Sequence, residues 1–157
     1  MIKTKIKEQI KITSKIFNAM LIGQIILFAV ALWFVQTSGV AFNTENNDLF
    51  KIIIPLYGIL VMVLSKIFYN KRIASLYKAD DLISKLAGYR FSKIVLWAII
   101  ETATFAAIVV FMITGFYFYS IVAILVTGYF ILNRPSARNI IQDLNLSPEE
   151  SKLILNK

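Results

Sequence analysis

The sequence predicts an all-α fold, an antiparallel four-helix bundle that spans a membrane, and three observations lead to it. The chain has 157 residues, of which 58% are hydrophobic and 17% charged, whereas soluble domains are about 45–50% apolar. Nearly all of its basic residues lie at the ends of the apolar segments or between them. The apolar residues collect in four blocks, each near the roughly 20 residues that a spanning helix needs: 16–35, 52–69, 94–115 and 116–132.

Each block is expected to be helical, because unpaired backbone N–H and C=O groups are very costly in hydrocarbon. A basic arm, residues 1–15, precedes the first block, and in it Ile2, Ile6 and Ile10 recur every four residues beside a row of lysines. This pattern predicts an amphipathic cytoplasmic helix. Two interpretations fit it equally well: the arm lies on anionic lipids of the inner leaflet, or it extends the first span.

The placement of charge predicts the orientation. Of the 17 Lys and Arg residues, 16 lie in the arm, around the segment that joins the second and third blocks, or in the tail. The loop between the first and second blocks holds Glu45 and Asp48 but no Lys or Arg before Lys51. The positive-inside rule therefore places both termini and the middle segment in the cytoplasm.

Local signals predict the elements outside and between the spans. Residues 16–132 form the bundle, with a turn near Gly115 joining its last two helices, and residues 133–157 form a cytoplasmic helical tail. Pro135 should end the fourth helix, and a short helix is expected over 137–144. Ser147 followed by Pro148 has the form of an N-cap and first helical position. In the middle segment a short helix is predicted to end near Gly88.

The residue types that the chain lacks exclude several chemistries. It has no histidine and no cysteine, so a Ser-His-Asp arrangement, a thiolate nucleophile and zinc or iron–sulfur ligation are not available. We therefore expect no enzyme, no catalytic residues, no metal and no cofactor. A net charge of +8 would suggest nucleic acid in a soluble protein, but the membrane topology accounts for it, so no nucleic-acid partner is expected.

One acidic side chain, Glu101, lies inside a predicted span, eight residues beyond Lys93. That spacing places it about 12 Å along the helix from the basic end, where a carboxylate normally faces the bundle interior or water. Two interpretations compete. In the first, Glu101 fixes how the helices meet by hydrogen bonding; in the second, it binds a proton or cation. The polar layer expected around it also contains Gln24, Ser65, Lys66, Thr104 and Thr127.

The first and third blocks also match each other when shifted by 77 residues. In this register Phe28 and Phe34 fall on Phe105 and Phe111, and Gln24 falls on Glu101. If the match reflects a true repeat, the four spans form two hairpins of like orientation, related by an axis along the membrane normal.

Several segments resemble a family of short four-span bacterial membrane proteins without an assigned function: 99–105 with the sequence IIETATF, Arg134-Pro135-Ser136, and the Asp143-Leu144, Leu146-Ser147 and Glu150 positions of the tail. The resemblance implies a multi-pass protein of the bacterial inner membrane and no particular activity.

The third block also looks like the ion-binding helix of rotor-ring subunits of rotary ATPases. That resemblance implies Glu101 as the ion-binding carboxylate and Gln24 as its degenerate counterpart. The chain departs from it in having only Gly58 and Gly128 within the second and fourth blocks.

The predicted function is a structural or accessory subunit, or scaffold, of a membrane assembly. Its expected partners are the bilayer, anionic inner-leaflet lipids, and another protein or further copies of the chain. The alternative is a small proton- or cation-coupled transporter or channel-like protein centred on Glu101.

Overall fold

The computed structural model describes residues 2–38, 47–77 and 81–155, and this part of the chain is helical apart from short connections. It contains six α-helices that pack against one another. In chain order they are α1 (Ile2–Ser38), α2 (Asn47–Leu76), α3 (Leu82–Thr114), α4 (Tyr117–Leu132), α5 (Ala137–Asp143) and α6 (Pro148–Leu155). The loop acids Glu45 and, in the middle segment, Asp80 lie outside the described residues, as do both chain ends.

Helix α1 runs without a break through the basic arm and the first apolar block. Its 37 residues give a rod of about 55 Å, much longer than the roughly 30 Å of a hydrocarbon core. The arm is therefore a continuation of the same rod. Only one narrow stripe of α1 is buried, and this stripe packs on the rest of the protein; it contains Ile6, Thr13, Phe17, Gln24 and Ala31.

Helix α3 lies at the centre, in contact with α1, α2 and α4. Half of its most apolar stretch is buried, against 17% for α1 and 28% for α2. Trp97 of α3 and Phe130 of α4 pack against Phe17 of α1. Their ring centroids lie 5.2 Å and 5.0 Å from that of Phe17. Such aromatic contacts stabilise a core beyond the area that they bury, so this cluster fixes where α1, α3 and α4 meet.

The turn predicted near Gly115 is confirmed. Gly115 has φ 64° and ψ 0°, and its N–H donates to the Phe111 carbonyl. This left-handed conformation is available to glycine without steric cost, so α3 ends there and α4 returns beside it. The helix ends predicted in the tail are confirmed as well, since α4 ends before Pro135 and α6 begins at Pro148.

The helix break predicted near Gly88 is wrong. Asp81 caps α3 by accepting a hydrogen bond from the Ser84 N–H, and the helix then continues through Gly88 to Thr114. A side chain at Gly88 would clash with Leu76 at the end of α2. Glycine is therefore present for close helix packing at this position and does not end the helix.

Three of the described helices, α1, α2 and α3, are long and apolar enough to cross a membrane. Helix α4 has 16 residues and reaches such a length only together with α5, which follows at an angle of 76°. Among the described residues, the structure thus has three or four helices compatible with a membrane protein.

Candidate functional site

The candidate site is the polar layer, defined here as Gln24, Glu101 and Thr127, where α1, α3 and α4 meet. Gln24 lies on the buried stripe of α1 and is only 1% exposed. Its Oε1 accepts a hydrogen bond of 3.3 Å from the Thr127 hydroxyl of α4. A buried amide needs such partners because its desolvation is costly.

Glu101 approaches Gln24 from α3. The two side chains lie within interaction range, but the Gln24 Nε2 has no partner at full hydrogen-bond geometry in the described part of the chain. The contact between the amide and the carboxylate is therefore loose. Glu101 is only partly covered, and it forms no ion pair with any described residue.

The structure places the other three residues of the expected layer differently. Thr104 is buried, but its hydroxyl has no hydrogen-bond partner among the described residues. Ser65 is buried and donates to the Met62 carbonyl of its own helix, at 2.9 Å. Lys66 is exposed, and its ammonium group lies 5.6 Å from the centre of the Tyr69 ring. The structure thus joins Gln24, Glu101 and Thr127 and gives Ser65 and Lys66 other neighbours.

An apolar groove opens beside the layer between α1 and α4. Its volume is about 290 Å³, and Gln24 and Thr127 are its polar members, set among the side chains of Ile25, Phe28 and Ile124. A Cβ at Gly128, which also lines the groove, would meet no atom within 4 Å. Packing between α1 and α4 is therefore incomplete at the depth of the polar layer.

A second polar cluster, which the sequence analysis did not identify, lies at the basic end of the helices. We call it the tail cluster: Tyr69 of α2, Tyr89 and Lys93 of α3, and Asp143 of α5. Lys93 is 3% exposed, and its ammonium lies 3.5 Å from the Asp143 Oδ2, which also accepts a 2.6 Å hydrogen bond from the Tyr69 hydroxyl.

Aromatic rings complete the surroundings of the buried ammonium. Lys93 Nζ lies 4.3 Å from the centre of the Tyr69 ring and 5.4 Å from that of Tyr89, within the range of cation–π attraction. Burying a charge requires a paired counter-ion, and here Asp143 of the tail supplies it. A signal was present in the sequence, because Tyr89 and Lys93 are four residues apart and so share one face of a helix.

Helix α6 begins with a capping box. The Glu150 N–H donates to the Ser147 hydroxyl at 3.2 Å, and the Ser147 N–H donates to the Glu150 carboxylate at 2.9 Å. Two contacts attach α6 to other helices. Glu150 also pairs with Lys85 of α3 at 2.9 Å. The Ser147 N–H, followed by Lys85, lowers the pKa of Glu150. Ile154 is buried, and with Leu153 it lines a cleft against Ile6 and Ile10 of α1.

The comparisons with known proteins add no relationship: no family model, no curated protein and no solved structure matches the chain.

Proposed function

We propose that the chain is a four-span integral membrane protein, with both termini and the middle segment in the cytoplasm, that acts as a structural or accessory subunit of a membrane assembly. The membrane placement is supported by the three long apolar helices and the α4–α5 pair. The orientation is supported by the one-sided placement of Lys and Arg. In this proposal the four long helices form the transmembrane bundle and the bend after α4 brings α5 and α6 to its cytoplasmic end.

The observation that carries the proposed role is the use of the mid-depth polar side chains in contacts between helices. Thr127 of α4 donates to Gln24 of α1, and Glu101 of α3 lies beside the same amide. Tyr57 of α2 shares a hydrogen bond of 3.0 Å with Thr102 of α3. Interhelical hydrogen bonds of this kind orient membrane helices at about 0.6–2 kcal/mol each, which is what a structural role requires.

The outer surfaces of the helices support association as well as lipid contact. Helix α1 buries one stripe only, and α2 exposes large apolar side chains along its length, among them Ile52, Leu56, Ile59, Leu60 and Val63. A small bundle with much of its apolar surface exposed offers wide faces to lipid and to partner helices. The lysines of the arm, including Lys7 and Lys11, are exposed at the proposed inner surface, where anionic headgroups would attract them.

Topology can be tested directly because the chain has no cysteine. Single cysteines replace Asn46, Ser75 and Ser151 in turn, and intact bacterial cells are treated with a membrane-impermeant maleimide. We expect label at position 46 only, with the other two positions labelled after the inner membrane is opened. Label at position 46 and position 151 from the same side would contradict the proposal.

The role itself is tested at Glu101. A structural residue should affect assembly, so Glu101→Gln should lower the thermal stability of the purified protein or change the size of the complex that it forms in mild detergent. Unchanged stability and unchanged complex size would contradict the structural role.

A proton- or cation-coupled carrier is the second candidate, and one observation favours it: Glu101 is partly exposed and has no basic partner in the described ranges. Proteoliposomes that contain the protein would then carry a proton or cation flux that Glu101→Gln abolishes. Fluxes that are equal with and without the substitution would exclude this candidate.

A further inference from the structure

Lys66 carries a charge for which the described part of the chain supplies no counter-ion. Its side chain is exposed, and it forms no ion pair with any described residue. Its ammonium lies 5.6 Å from the centre of the Tyr69 ring, and the Lys93 ammonium lies 4.3 Å from the same point. Two cations therefore adjoin one ring, whereas the Asp143 carboxylate beside that ring pairs with Lys93. The remaining positive charge favours an anion next to Lys66.

A shallow groove of about 400 Å³ lies beside this charge, between α2 and α4. One stripe of α2 forms most of it, since Met62, Lys66 and Asn70 are spaced four residues apart and so share a face of the helix. Tyr129 of α4 also lines the groove, and its hydroxyl donates a hydrogen bond of 3.5 Å to the Met62 carbonyl. The volume is within the range of small-molecule sites.

The polarity of the groove changes along α2 in the order that an inner-leaflet phospholipid requires. Lys66 and Asn70, whose side chains donate hydrogen bonds, lie nearest the basic end. Met62 lies about 12 Å from Asn70 along the helix axis, and the half-exposed apolar side chains of Val63 and Ile67 lie between these two levels. In the proposed orientation the polar end is at the cytoplasmic surface and the apolar end faces the acyl chains.

We propose that this groove binds one anionic phospholipid of the inner leaflet, with the lipid phosphate at Lys66 and Asn70 and an acyl chain along Val63 and Ile67. This rests on the proposed function and specifies a lipid site separate from the lysines of the arm. Basic pockets between membrane helices on the cytoplasmic side suit anionic headgroups. The apolar part of the groove argues for a lipid over free inorganic phosphate, which would leave Val63 and Ile67 uncovered.

The test is native mass spectrometry of the full-length protein in mild detergent, titrated with phosphatidylglycerol or with phosphatidylcholine of the same acyl chains. Lys66→Gln removes the charge. Lys71→Gln is the matched control, because Lys71 is an exposed cation of the same helix that does not line the groove. Ile67→Trp fills the apolar part, and Leu56→Trp places the same side chain at an exposed position of α2 outside the groove.

We expect the first phosphatidylglycerol to bind the unsubstituted protein about fivefold more tightly than phosphatidylcholine, which is the gain expected from one lysine at a membrane surface. Lys66→Gln should abolish this preference, whereas Lys66→Arg and Lys71→Gln should keep it. Ile67→Trp should weaken the binding of both lipids, and Leu56→Trp should leave it unchanged.

Equal affinity for the two lipids, or a preference that survives Lys66→Gln, would overturn the proposal. So would a preference lost equally in Lys71→Gln, which would indicate diffuse attraction to the basic end, or unchanged binding in Ile67→Trp, which would place the lipid outside the groove. Displacement of the lipid by inorganic phosphate at constant ionic strength would indicate a free-phosphate site. A dimer that is lost in Lys66→Gln would indicate a second copy as the occupant, and either result would overturn the proposal as well.

Alkaline extraction of liposomes that contain the protein separates this proposal from the proposed function. Protein that is released by carbonate is not membrane-embedded, and both proposals then fail. Protein that resists extraction and shows no preference for phosphatidylglycerol leaves the membrane placement intact and overturns the lipid site alone.

Discussion

The tail cluster and the polar layer both contain a buried polar atom without a hydrogen-bond partner among the described residues, Tyr89 Oη and Gln24 Nε2, but the tail cluster has the shorter hydrogen bond and an ion pair. In the tail cluster, Asp143 receives a 2.6 Å hydrogen bond from Tyr69 and an ion pair from Lys93, and Lys93 is enclosed by aromatic rings. In the polar layer, one 3.3 Å bond joins Thr127 to Gln24, and the Gln24 Nε2 has no partner among the described residues. The packing around two glycines differs in the same way. Leu76 lies close to Gly88, whereas a Cβ at Gly128, beside the polar layer, would meet no atom within 4 Å.

The difference indicates that the tail cluster contributes more to stability than the polar layer, whose weaker contacts still orient the helices. A buried ammonium with a carboxylate beside it resists rearrangement, because removing the carboxylate leaves the buried charge without a counter-ion. A loosely bonded amide and carboxylate can exchange partners at small cost.

The largest effect should come from removing the counter-ion of the tail cluster. Asp143→Ala leaves the Lys93 ammonium buried without a carboxylate, and we expect a loss of about 3 kcal/mol in the free energy of unfolding. Thermal unfolding in detergent measures it. Asp48→Ala, which breaks the exposed pair with Lys51, is the control and should cost less than about 1 kcal/mol. Equal losses in the two variants would remove the contrast between buried and exposed pairs.

The glycine pair gives the next effect, with opposite signs at the two ends. Gly88→Ala forces the Leu76 side chain to move. This cost of about 1–3 kcal/mol exceeds the gain of about 1 kcal/mol from replacing glycine in a helix, so the variant should be destabilised by about 1 kcal/mol. Gly128→Ala adds a methyl group to open space in a helix and should be neutral or stabilising by up to about 1 kcal/mol. The free energies of unfolding of the two variants, measured under the same conditions, test this expectation. The comparison fails if Gly128→Ala is the more damaging of the two.

A smaller effect is expected at the centre of the polar layer. Gln24→Leu removes one long hydrogen bond and one unsatisfied donor, so the free energy of unfolding should change by less than about 1 kcal/mol. The same experiment on Tyr69→Phe, which removes the short bond to Asp143, should give the larger loss. A large loss from Gln24→Leu would show that the layer is as well built as the tail cluster.

The smallest effect concerns pH and the attachment of α6. Because the pKa of Glu150 is lowered in the folded protein, its contribution is present above the ordinary glutamate pKa and is lost as pH falls through the lowered folded value. A fluorophore at Ser151→Cys should therefore report loosening of α6 under acid conditions. Glu150→Gln should loosen α6 already at neutral pH and flatten the acid response. An acid transition that is unchanged in Glu150→Gln would assign it to another group.

Local sequence signals predicted the ends of most helices, and long-range contacts explain the misses. Gly115, Pro135 and the Ser147-Pro148 pair act through the backbone of their own neighbourhood, so their effect can be read without the fold. Gly88 looked like a helix end by the same reasoning. Its role depends on Leu76 of another helix, which no local pattern reveals.

The depth of the candidate site was predictable for three of its residues, and the rotation of the helices about their axes was not. Counting residues from the basic ends gives depth, and this count put Gln24, Glu101 and Thr127 at one level. It also included Ser65 and Lys66, and for Lys66 the predicted depth was wrong, because its ammonium lies beside the Tyr69 ring of the tail cluster, nearer the basic end. The tail cluster was not predicted at all, because Asp143 reaches Lys93 only after the chain has bent by 76° between α4 and α5.

The sequence by itself determined the helical character, the positions of the apolar segments and their separation from the basic segments, since each of these follows from the solvation of individual residues and their backbone. Only the tertiary structure decided which helix lies at the centre, which polar groups meet and which remain unsatisfied. These depend on side chains far apart in the chain being brought within a few ångströms, where hydrogen bonds, ion pairs and close packing act.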